Sequence, residues 1–402
     1  MRIAVQTSLV VAQKERFPRG LVASLRAGGL LLLLFLGGAA RAQVREDSPE
    51  LVFQRAQAAA HAGNYAQAEK LYRQILATDP GSVPARVNLG LACYWQHKNR
   101  EAVSELRRAL EASPREFSAR LFLGLSYLDL GEYDHAQRTL EEAARIKDMD
   151  PLLFWALGSL AMIHGDANSA VAFLERSVAL DPNNVQAVWL LGQAYARLAY
   201  RQDEEKPLVP ADYAALVDQA LRWVEQKAPD SALLRVFKGD VLSARMLTSE
   251  ALAEYQQALK RDPNWPDIHL MLGSLLGVMG RSDDAVRELK IQLERYPGDT
   301  RALVEMGGVL CRAGNYTAAV PYLEKALARD RDNYDANCRL GQAQIGLRQY
   351  SRALPHLERA TEISPEKSEA YYLLHRAYRG LNLDKKAAWA LEQFNLRKAT
   401  PR

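Results

Sequence analysis

Closely spaced cysteines are missing from this sequence of 402 residues. The three cysteines, Cys93, Cys311 and Cys338, lie far apart, and no CxxC, haem-attachment or zinc-binding spacing occurs. Because such sites need ligands at short, fixed intervals, their absence argues against a disulfide framework, a zinc site and a c-type haem. All three cysteines fall within helical patterns, so we expect them to be buried free thiols.

Catalytic motifs are missing as well. The chain contains no HExxH, no GxSxG and no glycine-rich phosphate loop, the signatures of common metalloproteases, hydrolases and nucleotide-binding proteins. Several of the seven histidines lie at or near predicted turns, where a solvated imidazole is the ordinary case. We therefore expect no enzymatic activity, no cofactor and no metal.

An excess of one charge sign is also lacking once the N-terminus is set aside. Residues 1–42 hold six Lys or Arg and one Glu, so the remaining chain carries 46 basic and 47 acidic residues. Affinity for a nucleic-acid backbone depends on a strongly basic surface. The balanced charge therefore argues against nucleic acid as a partner.

The N-terminal segment, residues 1–42, differs from the rest of the chain. A basic lead precedes an apolar run at 30–36, and a small-x-small pattern follows at 40–42, which is the layout of a secretory signal peptide. Its longest apolar stretch has 14 residues, fewer than the roughly 20 that span a membrane. We expect a cleaved signal peptide, a short lead at 43–48 and export to the periplasm or cell envelope of a bacterium. The alternative is an uncleaved membrane anchor.

What the sequence does contain is a repeated phrase. It reads GNYAQAEKLYRQILATDP at 63–80, GDANSAVAFLERSVALDP at 165–182 and GNYTAAVPYLEKALARD from Gly314. The phrase glycines and the closing prolines recur at intervals of 34 or 68 residues, with one interval lengthened by 13. These intervals divide residues 49–401 into ten units of 34, with a 13-residue insertion around 198–210.

Two positions are nearly constant when residues are numbered from the start of each unit. Position 8 is glycine from the second unit to the ninth: Gly90, Gly124, Gly158, Gly192, Gly239, Gly273, Gly307 and Gly341. Position 20 is alanine in nine units: Ala68, Ala102, Ala136, Ala170, Ala251, Ala285, Ala319, Ala353 and Ala387. This pattern resembles the tetratricopeptide repeat. The resemblance implies an all-α fold, a right-handed α-solenoid of stacked units that each contain two antiparallel helices.

The repeated residues have physical reasons. A glycine inside a helix costs about 1 kcal/mol relative to alanine, so eight of them indicate that a side chain at position 8 would block helix packing. The closing Asp-Pro ends the second helix, because the residue before proline is disfavoured in the α region. The terminal units depart from the pattern with Ala56 and His375 at position 8, and the fifth has Val217 at position 20.

Two further sets of residues carry expectations about the second helix. Pro321 and Pro355 occupy the same position in adjacent units, and we expect them to bend their helices or to mark late helix starts. Four tyrosines lie two positions after the phrase glycine and are expected to fill the hinge between the two helices of a unit: Tyr65, Tyr133, Tyr316 and Tyr350.

A candidate binding surface follows from the resemblance. In the family that the sequence resembles, positions 2, 5, 9, 12 and 13 of each first helix line the concave surface. Across units one to five we predict that these positions form an apolar groove for a partner: Phe53, Leu91, Tyr94, Trp95, Leu125, Leu128, Trp155, Met162, Ile163 and Trp189. Large aromatic side chains are effective anchors because few torsions are lost on binding. The alternative is that these residues only pack against neighbouring units.

The later units are more polar on the same positions. They contain Asp240, Arg301, Arg312, Arg376 and Arg379. Some members of the resembled family grip a C-terminal carboxylate with a Lys/Asn/Arg set in three adjacent units, and that set is absent here.

The sequence therefore predicts a non-enzymatic, exported scaffold that binds a peptide segment or helix of another protein, with envelope complex assembly as the expected setting. Two alternatives remain open. One is a structural protein that dimerises through Trp389 and Phe394 of its last predicted helix. The other is a membrane-anchored adaptor, if the N-terminal segment is retained.

Overall fold

The computed structural model of the protein describes residues 48–200 and 213–399. These residues form twenty α-helices and no β-strand. The helices are α1 (Pro49–His61), α2 (Tyr65–Thr78), α3 (Val83–Tyr94), α4 (Asn99–Ala112), α5 (Phe117–Leu130), α6 (Tyr133–Ile146), α7 (Pro151–His164), α8 (Ala167–Leu180), α9 (Val185–Ala199), α10 (Tyr213–Lys227), α11 (Ala232–Ala244), α12 (Thr248–Arg261), α13 (Ile268–Val278), α14 (Ser282–Arg295), α15 (Thr300–Arg312), α16 (Tyr316–Arg329), α17 (Tyr334–Gly346), α18 (Tyr350–Ile363), α19 (Ser368–Gly380) and α20 (Asp384–Ala399).

The helices confirm the predicted all-α fold of repeated helix pairs. Odd-numbered helices are the first helices of the ten units, and even-numbered helices are the second. The chain divides at Tyr195, within α9, into an N-terminal and a C-terminal compact block. Consecutive helices pack on each other from α1 to α8 and from α10 to α20, as in a solenoid of stacked pairs; its right-handed sense stays a prediction. The expected signal peptide and most of the expected insertion lie outside the described residues.

A side chain at position 8 would overlap the second helix of the same unit. A Cβ atom built on Gly158 would lie 2.5 Å from Cγ of Leu174, and one built on Gly341 would lie 2.4 Å from Cδ2 of Leu357. The same overlap, always with the residue at position 24, occurs in seven units. The prediction that glycine permits close helix packing is therefore confirmed.

Position 20 forms the centre of each unit. All nine alanines at this position are buried, and so is Val217 in the fifth unit. In the first unit Ala56 is buried at position 8, whereas the tenth unit has the half-buried His375, whose Nδ1 lies 2.9 Å from the carbonyl oxygen of Ala387. The departures from the pattern are therefore accommodated within the same packing.

The turn between the two helices requires a left-handed residue at position 15. Glycine supplies it in five units, with φ between 75° and 82°. Four other residues take the same conformation: His97, Met246, Arg348 and Asn382. A positive φ is uncommon for a residue with a side chain, so the geometry of the turn is maintained along the chain even where glycine is not.

The tyrosines expected in the hinge also contact the following unit, as Tyr316 and Tyr350 show. A Cβ on Gly346 would lie 2.4 Å from the ring of Tyr316, and one on Gly380 would lie 2.5 Å from the ring of Tyr350. Both glycines end the first helix of the following unit. The sequence did not predict this contact, which forms because the first residue of a second helix points towards the next unit.

The two prolines inside second helices do not delay the helix start. Pro321 and Pro355 are each the sixth residue of a 14-residue helix that begins at the usual tyrosine. Both prolines are exposed, so each removes one backbone hydrogen bond on the solvent side. The expectation of late starts was wrong.

The cysteines behave as predicted. All three are buried free thiols. Burial raises the pKa of Cys93 and Cys338 to about 12 and that of Cys311 to about 11. A thiol that stays protonated is a poor nucleophile, so these side chains contribute packing.

Replacing Gly158 with alanine tests the close approach at position 8. In an exposed helix this change stabilises by about 1 kcal/mol. In α7 we expect Gly158→Ala to destabilise by about 1–3 kcal/mol, since the added methyl group overlaps Leu174 in a packed core. Urea unfolding followed by circular dichroism measures the difference.

The matched control is the double variant Gly158→Ala with Leu174→Ala. Removing the leucine side chain vacates the space that the methyl group needs. The double variant should therefore lose less unfolding free energy than the two single variants lose when their losses are added. A Gly158→Ala protein that is more stable than the parent contradicts the proposed role of position 8.

Candidate functional site

Six of the ten predicted groove residues are buried within the protein itself. Their side chains are at most 4% exposed: Tyr94, Leu125, Leu128, Trp155, Met162 and Trp189. Neighbouring side chains already cover this apolar surface, which is the packing alternative that the sequence left open. The groove itself stays a prediction.

The other four predicted residues are half-buried: Phe53, Leu91, Trp95 and Ile163. Leu91 and Trp95 are one helical turn apart, at the end of α3, so their side chains lie on the same side. Phe53 packs edge-on against Tyr72, with ring centroids 5.8 Å apart. A partner can contact these four side chains without displacing the core.

Trp95 lies at the centre of a cluster of four aromatic rings. It stacks on Tyr65, with centroids 5.9 Å apart. It also meets Tyr94 edge-on at 5.3 Å and Phe122 at 6.0 Å. Of these rings only Tyr94 is buried, and the other three are half-buried. We call Tyr65, Tyr94, Trp95 and Phe122 the aromatic patch.

Backbone geometry holds Trp95 in place. Trp95 is the C-terminal cap of α3, and its N–H donates to the carbonyl oxygen of Leu91 at 3.0 Å. The side-chain amide of Gln96 donates to the carbonyl oxygens of Ala92 and Tyr65 at 3.0 and 3.2 Å. These bonds tie the end of α3 to the start of α2. The indole is therefore positioned before any partner arrives.

A charged network borders the aromatic patch. The carboxylate of Glu69 accepts hydrogen bonds from Lys98 at 2.7 Å, from Gln96 at 2.8 Å and from Arg73 at 2.9 Å. Arg73 also pairs with Glu101 at 2.7 Å. Burial alone would raise the pKa of Glu69, but the hydrogen bonds from Lys98, Gln96 and Arg73 outweigh it and hold the pKa at about 2. Glu69 therefore stays ionised.

The same region contains three potential metal ligands. Ligand atoms of Glu69, Cys93 and Glu101 lie within 4.8 Å of one another. The Glu69 carboxylate, however, already accepts from two cationic side chains and an amide. Cys93 would have to lose a proton that burial holds tightly, since metals bind the thiolate. The donors fit an ion-pair network better than a metal site.

The polar residues predicted for the later units are mostly engaged within the chain. Asp240 accepts from the Tyr255 hydroxyl at 2.7 Å. Arg301 pairs with Asp299, at 3.3 Å, and with Asp267. Arg312 pairs with Glu305 at 3.1 Å. In contrast, Arg376 and Arg379 are exposed and have no ion pair among residues 213–399.

Sequence reasoning missed Tyr65 and Phe122 as members of the patch. Tyr65 was expected in the hinge, and Phe122 occupies position 6, which is outside the family's groove positions. Tyr65 begins the second helix of the first unit, and Trp95 follows the first helix of the second unit. Their contact could have been predicted from these places in the repeat if the tyrosine had been known to point towards the next unit. Nothing in the sequence marked Phe122.

No helix in the described residues is long and apolar enough to span a membrane.

Comparison with known families identifies the repeat. Models described as tetratricopeptide repeat match more than half of the chain. The matched segments are 59–112, 95–159, 310–374, 270–336 and 153–184.

Several curated proteins are similar to parts of the chain. Anaphase-promoting complex subunit 6 of Arabidopsis thaliana is 26% identical over 144 residues, which cover 35% of this chain and 26% of that protein. Anaphase-promoting complex subunit 3 of Schizosaccharomyces pombe is 23% identical over 52% of this chain and 30% of its own length. BBSome complex member BBS4 of Mus musculus is 27% identical over 47% of this chain and 36% of its own length. The matches thus span between about a quarter and about a third of these relatives.

Two solved structures are among those similar to this chain. The thermophilic TPR protein TTC0263 of Thermus thermophilus is 28% identical, with a TM-score of 0.43 over 48% of this chain and 98% of its own. Yeast Tom70 is 14% identical, with a TM-score of 0.47 over 89% of this chain and 86% of its own.

The ion pairs of Glu69 should make the stability of the fold depend on pH. The pKa of Glu69 is lowered from 4.5 to about 2, so its ionised form stabilises the fold above about pH 4.5, and that contribution is lost as pH falls towards 2. We expect Glu69→Gln to lower the melting temperature at pH 7 and to have a progressively smaller effect between about pH 4.5 and pH 2. Thermal melts followed by circular dichroism measure both.

Glu111→Gln is the control. Glu111 is exposed on α4 and has no ion pair among the described residues, so its replacement should leave the pH profile unchanged. A Glu69→Gln defect of equal size at pH 7 and pH 3 would contradict the assigned pKa.

Proposed function

Because the chain belongs to the tetratricopeptide repeat family, we propose that it is a non-enzymatic scaffold whose N-terminal block binds another protein through the aromatic patch. The observation that carries the proposal is Trp95, a half-buried indole fixed against three other rings. An aromatic side chain that is already ordered loses little entropy on binding. The partner we propose is a peptide segment or helix with apolar anchor residues.

The charged network around the aromatic patch can contribute to the choice of partner. Lys98 and Arg73 are exposed in part but bound to Glu69 and Glu101, so the border offers both signs of charge. Polar groups around an apolar centre contribute specificity more than affinity. The apolar centre at Trp95 therefore supplies most of the proposed binding energy.

The relatives support a scaffold role by analogy. Two are named as subunits of the anaphase-promoting complex and one as a member of the BBSome complex. A shared repeat fold does not transfer a specific partner. The analogy supports assembly with other proteins, and the aromatic patch is the contact surface that we propose.

Site-specific crosslinking tests the proposed surface. We expect a photo-crosslinking residue in place of Leu91, one turn from Trp95, to form discrete adducts with another protein in the native cell. The Trp95→Ala change should remove those adducts, since it deletes the anchor while leaving the crosslinker in place. Gel shifts and mass spectrometry of the adducts provide the measurement.

Two controls separate binding from folding and from random encounter. Trp389→Ala removes an exposed indole from the C-terminal block and should leave the adducts intact. A crosslinker at Tyr296, which is also exposed, should give none. Adducts that persist in Trp95→Ala, in a protein with unchanged helicity, would contradict the proposal.

We also propose that the scaffold is exported and works in a bacterial envelope. The basic lead, apolar run and small-x-small pattern of residues 1–42 support this. The protein purified from its native cell should begin at Gln43, as determined by intact mass and N-terminal sequencing. A mass that includes residues 1–42 would instead support the membrane-anchored adaptor.

A further inference from the structure

The tenth unit exposes positions that the preceding units bury. Position 5 is buried in units two to nine, as at Cys338 in the ninth, but Tyr372 in the tenth is 44% exposed. Position 24 is fully buried in most units, as at Leu357, but Leu391 in the tenth is 37% exposed. The residue types are similar in kind, but no further helix pair of the described residues packs over the tenth unit, and at Leu391 the glycine that position 24 contacts in seven other units is replaced by His375.

In the ninth unit these positions are covered by the next helix pair. Cys338, Leu357 and Ala360 of the ninth unit share one buried cluster with Tyr371 and Leu374 of the tenth. Positions 5, 24 and 27 therefore belong to the packed layer that joins a unit to the one after it, and position 24 also packs against position 8 of its own unit. In the tenth unit the same positions hold Tyr372, Leu391 and Phe394, and the rings of Tyr372 and Phe394 are 5.4 Å apart. We call these three residues, with the exposed Glu369, Arg376 and Arg379 of α19, the terminal face.

Another unit of the usual kind does not fit this face. Position 27 is a buried alanine or serine in six of the nine preceding units, and a small side chain there leaves room for a neighbouring helix. The half-buried Phe394 occupies that space with a ring. The first unit of another copy is also a poor match, since residues 48–145 expose no large hydrophobic side chain. A head-to-tail contact would therefore set apolar against polar surface.

A second copy of the same face does fit. Along α19 the exposed residues follow the order Glu369, Tyr372, Arg376, Arg379, all on one side of the helix. If two α19 helices pack antiparallel about a two-fold axis level with Leu374, each Glu369 lies opposite Arg379 of the other copy. Each Tyr372 then lies opposite Arg376, as in a cation–π pair. Arg376 and Arg379 have no ion pair of their own within the described residues, so they are available for this contact.

We propose that the protein forms a two-fold symmetric dimer in which the terminal faces of two copies pack on each other. Such isologous pairing is the commonest form of homo-oligomer, and it buries the apolar surface that the described residues leave uncovered on the tenth unit. The binding surface at Trp95 belongs to the other block, so a dimer carries two copies of it.

The structure assigns Phe394, but not Trp389, to the interface. Trp389 occupies the position of Pro321 and Pro355, which stay exposed in units that are covered by a neighbour. Its indole, 47% exposed, meets Tyr371 edge-on at 6.2 Å. The expectation that Trp389 mediates dimerisation is therefore revised, and Trp389→Ala becomes a control that removes an aromatic side chain without touching the terminal face.

Sedimentation of the full chain over a range of concentrations tests the dimer. We expect a monomer–dimer equilibrium that Tyr372→Glu with Leu391→Glu weakens by about 10-fold or more, because four carboxylates would meet in the interface. Trp389→Ala should leave the equilibrium unchanged. Both changed residues of the first variant are exposed, so circular dichroism should show unchanged helicity.

A charge exchange tests the antiparallel pairing itself. Glu369→Arg and Arg379→Glu should each weaken the dimer, since each places like charges opposite one another. The double variant restores opposite charges across the two-fold axis and should recover the dimer. A monomer at all concentrations, a ladder of higher oligomers, association unaffected by the terminal-face changes, or a double variant as weak as the single ones would each overturn the proposal.

Discussion

The close approach of the two helices within each unit is the constraint on which the remaining structure depends. At Gly124, which is position 8 of the third unit, the absent side chain leaves room for Leu140 at position 24. Six other units have the same contact. Protein interiors are packed almost as densely as crystals, so this contact fixes the spacing of the pair. The positions that face the next unit belong to both helices of the pair. Their relative placement, and with it the surface on which the next unit stacks, is therefore set by the same contact.

Arginine side chains add a second, polar link between units. The loops after second helices leave carbonyl oxygens without helical partners. In the C-terminal block, Arg261 donates from Nε to the carbonyl oxygen of Asp230 at 2.8 Å, and Arg295 donates to that of Pro263 at 3.1 Å. Both arginines occupy position 30 and reach back one unit. In the N-terminal block Arg86, at position 4, donates to the carbonyl oxygen of Pro80. A planar guanidinium with several donors suits this role, and two different positions in the repeat fulfil it.

The repeat made much of this structure predictable from the sequence. The 34-residue period predicted the helix pairs, the buried alanines and the glycine contacts, because each depends on the phase of a residue within its own unit. The surface was less predictable, since it depends on neighbouring units. Trp95 and Trp189 were expected in one groove from equivalent considerations, yet Trp95 is half-buried and Trp189 is fully buried. The contact of Tyr65 with Trp95 was not predicted for the same reason, since it is made with the following unit.

The exposure of a side chain in a repeat protein thus depends more on whether a neighbouring unit covers it than on the type of residue. Cys338 and Tyr372 occupy one phase, but only the first has a helix pair packed over it. The pattern that buries a side chain in the middle of the array exposes its equivalent where no neighbour covers it. A surface for another molecule can then arise without any new motif, wherever coverage is incomplete and the exposed side chains are already ordered. The aromatic patch around Trp95 and the terminal face around Tyr372 both meet this condition, one through incomplete coverage within a block and the other through the absence of a following pair in the described residues. Sequence periodicity alone identifies neither surface, because the period describes what the units share and these surfaces depend on where the units differ.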